Sequence, residues 1–305
     1  MTAPLNSEAE RRELLLGYGY ISLMVFAFGS APTLSRLAFE GGVGAFTLQS
    51  IRFLSCAVIL SLILFARRQF VVLDRRQKWL LLGLMVVTTT ASFGYGTSVK
   101  YIPVPLASLI FFIFPVLVGP LAHIVGDEKL THVRVAALLV GFSGLSLVLA
   151  PTLGSVDIRG VLLALLGGVS VAVSFLFMRR LTVSVPSMQL SAMVTAGASC
   201  LFIGAVLGWE GYTPPTTSLG WFGVIANAGV YTIGLVCLYA GVRRLGSLRA
   251  AIVSNVEPII SLLIAAAVLG QLLELTQLFG AAIVVSAIFL MQNEARLRRL
   301  FGKAD

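Results

Sequence analysis

Long apolar runs separated by short polar stretches dominate the chain from residue 17 to residue 291. A helix needs about 20 mostly apolar residues to cross the hydrocarbon layer of a bilayer. The pattern therefore predicts an all-α polytopic membrane protein with ten transmembrane helices. The predicted spans are Gly17–Leu37, Gly44–Ala66, Trp79–Val99, Pro103–Val125, Val133–Ala150, Gly160–Phe177, Met188–Gly208, Leu219–Val242, Leu248–Leu269 and Leu275–Met291.

The composition supports this class. The chain is 58% hydrophobic and 11% charged, whereas soluble domains average about 25% charged residues. The net charge of +9 does not indicate nucleic-acid binding, because the basic residues lie in short clusters between the apolar runs. Such clusters are typical of cytoplasmic loops, so no nucleic-acid partner is expected.

The distribution of lysine and arginine predicts the orientation in the membrane. With the N-terminus inside, the outer connections hold only Arg36, Lys100 and Arg159, and Arg52 lies within the second span. The positive-inside rule then places both termini in the cytoplasm. The eighteen remaining basic residues all fall on the inner side: Arg11, Arg12, Arg67, Arg68, Arg75, Arg76, Lys78, Lys129, Arg134, Arg179, Arg180, Arg243, Arg244, Arg249, Arg296, Arg298, Arg299 and Lys303.

The two halves of the chain resemble each other. Pro115 aligns without gaps with Pro258, 143 positions later, and Ala107 aligns with Ala250. Five spans per half is an odd number, so the second copy must enter the membrane inverted, as in many secondary transporters. The expected organisation is a cytoplasmic segment 1–16, a first five-helix repeat 17–150, an outer linker 151–157, a second repeat 158–293 and a basic cytoplasmic tail 294–305.

The ninth span carries a carboxylate at depth. Glu257 lies eight residues beyond Arg249, or about 12 Å along a helix. A charge at that depth is costly and faces other helices or a water-filled cavity. Pro258 follows directly, and a proline frees the carbonyl four residues earlier. Pro115 and Pro258 are therefore predicted hinges that open the fourth and ninth spans to a cavity, or else simple packing kinks.

The residues around the two prolines differ in chemistry. One repeat places aromatic rings beside its proline and the other places polar groups, which suits an amphipathic solute. Glu257 either binds the substrate or pairs with Arg52, the other intramembrane charge. The third and eighth spans add polar side chains that line the pathway or join helices. The predicted binding and pathway residues are Glu257, Asn255, Ser254, Phe111, Phe112, Phe114, Tyr95, Ser98, Tyr231, Tyr239 and Arg52.

Neither catalysis nor a cofactor is predicted. The three cysteines stand alone in apolar runs, and His123 and His132 lack a partner at metal-binding spacing. An intramembrane enzyme acting on a lipid or prenyl substrate is the alternative from another class, and it would need acidic pairs or histidine clusters. The acidic pair Asp127-Glu128 lies beside Lys129 in an inner loop, where a charged helix boundary is the simpler interpretation.

Four stretches together resemble the EamA-type members of the drug/metabolite transporter superfamily. They are Phe28-Gly29-Ser30, Arg52-Phe53, Tyr101…Ala107…Pro115…Gly126-Asp127-Glu128, and Tyr239-Ala240…Glu257-Pro258…Gly270-Gln271…Gly280. Phe28 stands where the family usually has tryptophan, and Gln271 where it usually has glutamate.

The resemblance implies a ten-helix transporter of small molecules in the bacterial inner membrane. The amino-acid exporters of the YddG-like branch are the most similar, which implies export of apolar or aromatic amino acids by alternating access. Export of drugs or other metabolites is the alternative within the family. A monomer in the lipid bilayer is expected.

Overall fold

A computed structural model describes residues 8–68, 70–149, 157–270 and 274–293. The predicted tail 294–305, residues 1–7 of the predicted cytoplasmic segment, residues 151–156 of the predicted linker and Gln271 lie outside the described residues.

Helices account for nearly all of the described ranges, which contain no β-strand. A π-helical turn, Val206–Glu210, extends the eighth helix. In chain order the helices are α1 (Glu8–Glu40), α2 (Ala45–Arg67), α3 (Arg75–Ser98), α4 (Val104–Phe111), α5 (Phe114–Ile124), α6 (His132–Leu149), α7 (Ile158–Leu181), α8 (Ser187–Ala205), α9 (Ser218–Leu245), α10 (Ser247–Ser254), α11 (Glu257–Leu269) and α12 (Leu275–Gln292).

The predicted all-α membrane fold is confirmed. Among the described residues, nine helical segments are long and apolar enough to cross a bilayer, counting α4 with α5 and α10 with α11 as one segment each. The predicted tenth span is present as the shorter apolar helix Leu275–Met291.

The fourth and ninth spans break at equivalent positions. Helix α4 ends at Phe111 and α10 ends at Ser254, while α5 begins at Phe114 and α11 at Glu257. Each pair is separated by 143 positions, the spacing of Pro115 and Pro258. The amide groups of the first turn of a helix have no partner within that helix, so a proline at its second position loses no hydrogen bond. Each proline is therefore compatible with the start of a new helix after the break.

Tight turns span both breaks. The amide of Ile113 donates to the carbonyl of Ile110 at 3.2 Å, and the amide of Val256 donates to that of Val253 at 3.1 Å. These bonds reach three residues back instead of four, as in a 3₁₀ turn. The predicted interruption of both spans is therefore present, and Ile113 and Val256 make the same three-residue bond at equivalent positions.

The chain divides into two compact units. Unit 1 consists of residues 1–85 and 177–250, and unit 2 of residues 86–176 and 251–305. Each unit takes helices from both halves of the sequence: α1 and α2 belong to unit 1 with α8 and α9, and α4 to α6 belong to unit 2 with α11 and α12. The predicted repeats are thus not the compact units.

Unit 1 packs through glycines of α9. A Cβ on Gly223 would lie 2.6 Å from the backbone nitrogen of Ala38, and one on Gly241 would meet the side chain of Ile21. The missing side chains let α1 approach α9 closely, as small residues do between membrane helices. Helix α2 packs on both α8 and α9.

Polar contacts join the connections at two ends of unit 1. The hydroxyl of Thr213 accepts a hydrogen bond of 2.8 Å from the amide of Gly44. Elsewhere, the Gln189 amide accepts from the backbone nitrogen of Val71 at 2.9 Å and donates to its carbonyl at 2.7 Å. The α1–α2 connection thus meets the one before α9, and the α2–α3 connection meets the start of α8.

Unit 2 also depends on close helix crossings. A Cβ on Gly144 of α6 would lie 2.8 Å from the carbonyl oxygen of Gly280 of α12. A Cβ on Gly94 of α3 would lie 2.6 Å from the carbonyl oxygen of Leu163 of α7. These crossings bring helices from both repeats around the breaks of the fourth and ninth spans.

Candidate functional site

The break between α10 and α11 holds a buried amide. Asn255 is 2% exposed, and its Oδ1 has no hydrogen-bond partner among the residues that the structure describes. Its Nδ2 faces Gly141 of α6, where a Cβ would lie 3.2 Å away. Ser254, the last residue of α10, is also buried. Buried polar atoms in native proteins are nearly always paired, so the unpaired Oδ1 makes this break a candidate binding position.

Glu257 is the first residue of α11 and is partly exposed. The N-terminus of a helix has a positive dipole end, which stabilises a carboxylate. Its repeat mate Phe114 begins α5 in the same way. The Tyr95 hydroxyl of α3 lies within electrostatic range of the Glu257 carboxylate. Glu257 therefore combines helix-end stabilisation with a phenol neighbour inside unit 2.

An aromatic cluster surrounds the break between α4 and α5. The ring of Phe111 lies 4.8 Å from that of Tyr95, 5.6 Å from that of Phe112 and 6.3 Å from that of Phe114, between centroids. Phe114 also stacks on Phe175 of α7 at 5.4 Å. Phe112 and Phe114 are 7% and 4% exposed, whereas Tyr95 and Phe111 are partly exposed. The accessible aromatic surface thus consists of Tyr95 and Phe111.

The carbonyl that Pro115 frees lies against α7. A Cβ on Gly168 would be 2.7 Å from the Phe111 carbonyl oxygen, and one on Gly167 would be 3.1 Å from the Phe111 ring. Two adjacent glycines thus accommodate both the backbone and the side chain of Phe111. This contact favours the packing interpretation for this carbonyl over exposure to a cavity.

The polar residues of α3 are bonded locally. The Tyr95 hydroxyl shares a hydrogen bond of 2.9 Å with the Ser108 hydroxyl of α4. The Ser98 hydroxyl donates to the Tyr95 carbonyl at 2.7 Å, and Ser98 is fully buried. Tyr95 therefore joins α3 to α4 while its ring stays partly exposed, and Ser98 bonds within its own helix.

Arg52 in unit 1 lies over aromatic rings. Its guanidinium carbon is 4.2 Å from the ring centroid of Tyr231 and 5.2 Å from that of Phe53. Tyr231 stacks on Phe28 at 5.5 Å and meets Phe53 edge-on at 5.2 Å, and Phe53 stacks on Phe202 at 5.3 Å. We call Arg52, Phe53, Tyr231, Phe28 and Phe202 the arginine cluster.

The predicted site residues therefore fall into two groups. Arg52, Tyr231 and Tyr239 belong to unit 1, where Tyr239 is 1% exposed in α9. The remaining predicted binding residues and both prolines belong to unit 2. The predicted ion pair between Arg52 and Glu257 stays a prediction.

Several contributing residues were not predicted. Ser108, Gly167, Gly168 and Phe175 emerge only from helix packing, which one sequence does not reveal.

Metal chemistry has no evident centre in the described ranges. They hold no group of three or more His, Cys, Asp or Glu side chains that could bind a metal ion. Glu128 of the acidic pair forms an ion pair of 3.4 Å with Arg134, as a charged helix boundary would.

Known proteins share this architecture and sequence pattern. The profile of the EamA-like transporter family matches residues 15–150 and again residues 158–292. The uncharacterized transporter YvbV of Bacillus subtilis is 26% identical over 224 residues, 70% of this chain and 72% of that protein. The uncharacterized transporter YyaM of the same organism is 23% identical over 298 residues, 91% and 94% of the two chains.

A solved crystal structure has the same fold. It superposes with a TM-score of 0.81 at 19% identity and covers 93% of this chain and 99% of its own. The double match of the family profile spans nearly all of the helical chain, in the two halves that the internal repeat predicts. The chain is therefore a multi-pass membrane transporter that belongs to the EamA-like transporter family of the drug/metabolite transporter superfamily.

Proposed function

We propose that this transporter exports small zwitterions with an apolar side chain, namely apolar and aromatic amino acids. The observation that carries the proposal is the composition of unit 2 around the two helix breaks. One break presents Glu257 and Asn255, and the other presents Phe111 with Tyr95 beside it.

Glu257 and Tyr95 match the two ends of such a solute. A carboxylate binds an ammonium group through a charge-assisted hydrogen bond, which is stronger than a neutral one. Aromatic faces bind both hydrocarbon and cations. Tyr95 and Glu257 belong to the same compact unit, and we infer that one small molecule places its cationic group at Glu257 and its apolar group at the rings.

The same residues disfavour other substrate classes. A sugar phosphate or other dianion would need converging lysine and arginine side chains. Unit 2 offers Glu257 and rings at its breaks instead. A purely hydrophobic drug would leave the buried Asn255 Oδ1 and the Glu257 carboxylate without a partner.

Alternating access is the expected transport cycle. Inverted repeats with discontinuous helices in corresponding places are typical of transporters that rock or gate around a central site. Pro115 and Pro258 are the proposed hinges, since each prevents the fourth or ninth span from closing into a continuous helix. Outward movement across the bacterial inner membrane by a monomer follows the resemblance to amino-acid exporters.

Efflux from loaded cells tests the proposal. Bacteria are loaded with dipeptides that hydrolyse to leucine, phenylalanine, glutamate or lysine, and efflux is followed with and without expression. We expect faster efflux of leucine and phenylalanine in expressing cells and unchanged efflux of glutamate and lysine. Cells that express the Arg36→Gln variant serve as a positive control, because Arg36 pairs with Glu40 on an exposed surface.

Two outcomes contradict the proposal. Equal acceleration for apolar, acidic and basic amino acids would show that the aromatic surface does not select. Absence of any acceleration, with the folded protein present in the membrane, would exclude amino-acid export.

A further inference from the structure

We propose that Arg52 and Gln49 form a subsite for a carboxylate that carries a hydrogen-bond donor on its α-carbon. This inference rests on the proposed function and names a subsite within unit 1 for the same class of substrate. The ligand class is α-amino and α-hydroxy carboxylates.

The arginine cluster places two aromatic rings against the Arg52 guanidinium. The guanidinium carbon lies 4.2 Å from the Tyr231 ring centroid and 5.2 Å from that of Phe53. A guanidinium carries its N–H groups in a planar fork that matches a carboxylate. Phe28 and Phe202 support the two rings from behind. The charge is thus positioned without a carboxylate bonded to it among the described side chains.

Two polar atoms on one face of α2 lack partners. The Nε of Arg52 and the Oε1 of Gln49 are both covered from solvent, and neither has a hydrogen-bond partner in the part of the chain that the structure describes. The residues themselves are partly exposed. Positions three apart on a helix are neighbours, so the side chains that carry this unpaired donor and this unpaired acceptor leave α2 from neighbouring positions.

A single small ligand can satisfy both atoms. Its carboxylate accepts from Arg52, and a donor on the adjacent carbon bonds to Gln49. An α-ammonium and an α-hydroxyl both provide that donor. An ammonium group has three N–H donors, so the bond to Gln49 uses only one of them. Leaving such atoms unpaired costs free energy, which gives the matching ligand an advantage over analogues that lack either group.

Counterflow with purified protein in liposomes tests the subsite. Radiolabelled leucine is exchanged against four unlabelled competitors: leucine, leucinamide, 2-hydroxy-4-methylpentanoate and 4-methylpentanoate. For the unmodified protein we expect leucine to compete about 10- to 100-fold better than leucinamide, which differs from it only at the carboxylate, since bonds to a charged group are among the stronger ones. The acid without an α-donor should compete more weakly than the hydroxy acid.

Two variants separate the two atoms. Arg52→Gln should weaken competition by leucine and by the hydroxy acid about 10- to 100-fold and leave leucinamide unchanged. Gln49→Leu should weaken competition by leucine and by the hydroxy acid but not competition by 4-methylpentanoate. Arg36→Gln makes the same change at an exposed arginine and should leave the potency of every competitor unchanged.

Ligand-induced thermal stabilisation provides a second measurement that does not need transport. Leucine should raise the Tm of the unmodified protein and of Arg36→Gln, but not of Arg52→Gln. If Arg52→Gln does not fold, Arg52→Lys keeps the charge without the planar fork and should still lose most of the discrimination between leucine and leucinamide.

The outcomes distinguish failure of the carboxylate subsite from failure of the proposed amino-acid transport. Equal competition by leucine and leucinamide on the unmodified protein, or equal stabilisation of Arg52→Gln by leucine, would overturn the carboxylate subsite and leave amino-acid transport in place. Absence of leucine exchange by the unmodified protein would overturn the proposed function and this inference with it.

Discussion

The carbonyl oxygen of Phe111 lies 2.7 Å from the position that a Cβ on Gly168 would occupy. This carbonyl is the one that Pro115 deprives of its helical partner, and α7 accepts it only because residue 168 has no side chain. The break in the fourth span and the glycine pair of α7 therefore depend on each other.

Gly168→Ala should destabilise the protein. The new methyl group would meet a backbone carbonyl that cannot move without shifting α4, and overpacking of this kind costs about 1–3 kcal/mol. We expect a lower Tm in detergent for the purified variant. Gly229→Ala is the matched control, because a Cβ on Gly229 has no neighbour within 4 Å in the described structure. Equal melting of the two variants would contradict the contact.

Replacing the hinge prolines should lower transport without lowering stability. Pro115→Ala and Pro258→Ala restore an N–H that can bond to the carbonyl four residues earlier, a bond worth about 0.5–1.5 kcal/mol. The broken spans should then become more continuous, with an unchanged or higher Tm and slower leucine efflux. Pro120→Ala, inside α5, should leave efflux unchanged. Normal efflux by both hinge variants would rule out the hinge role.

Glu257→Gln should separate the two roles considered for this carboxylate. The change keeps the shape and removes the charge. If Glu257 binds the substrate's ammonium, leucine efflux should fall several-fold while the folded protein stays abundant. If it only neutralises Arg52, the Tm should fall instead, since leaving a buried charge unpaired costs about 3–5 kcal/mol. Unchanged efflux together with unchanged Tm would refute both roles.

The predicted orientation can be measured by cysteine labelling. Cys56, Cys200 and Cys237 are first replaced by serine or alanine, and single cysteines are then introduced at Val72 and Tyr212, which are 90% and 60% exposed. An impermeant thiol reagent added outside should label position 212 and not position 72. The reverse pattern would invert the topology, and labelling of both would reject the predicted number of spans.

The sequence was sufficient for the helical membrane fold because its signals can be read without knowing the packing. Each apolar run of membrane-spanning length is a local pattern, and the internal repeat is visible as a constant offset between the two halves. The breaks at Phe111 and Ser254 fall where Pro115 and Pro258 remove a helical hydrogen bond.

The site was only partly predictable because its remaining features arise from packing between distant segments. Phe112 and Phe114 look equivalent to Phe111 in the sequence, yet both are buried against neighbouring rings. The close contact of Gly168 with the Phe111 carbonyl exists only where α7 crosses α4 in the folded chain. The cation–π contact of Arg52 likewise needs Tyr231, from a helix 179 positions further along the chain (231 minus 52).

The interleaving of the two repeats has a consequence for biosynthesis. Helices leave the ribosome and enter the membrane in order, so α1 and α2 are inserted long before α8 and α9, the helices on which they pack. Helices α1 and α2 therefore remain in the lipid with their packing surfaces exposed until α8 and α9 have been translated and inserted. We expect separately expressed halves, cut within residues 151–156, to be degraded individually and to accumulate when co-expressed.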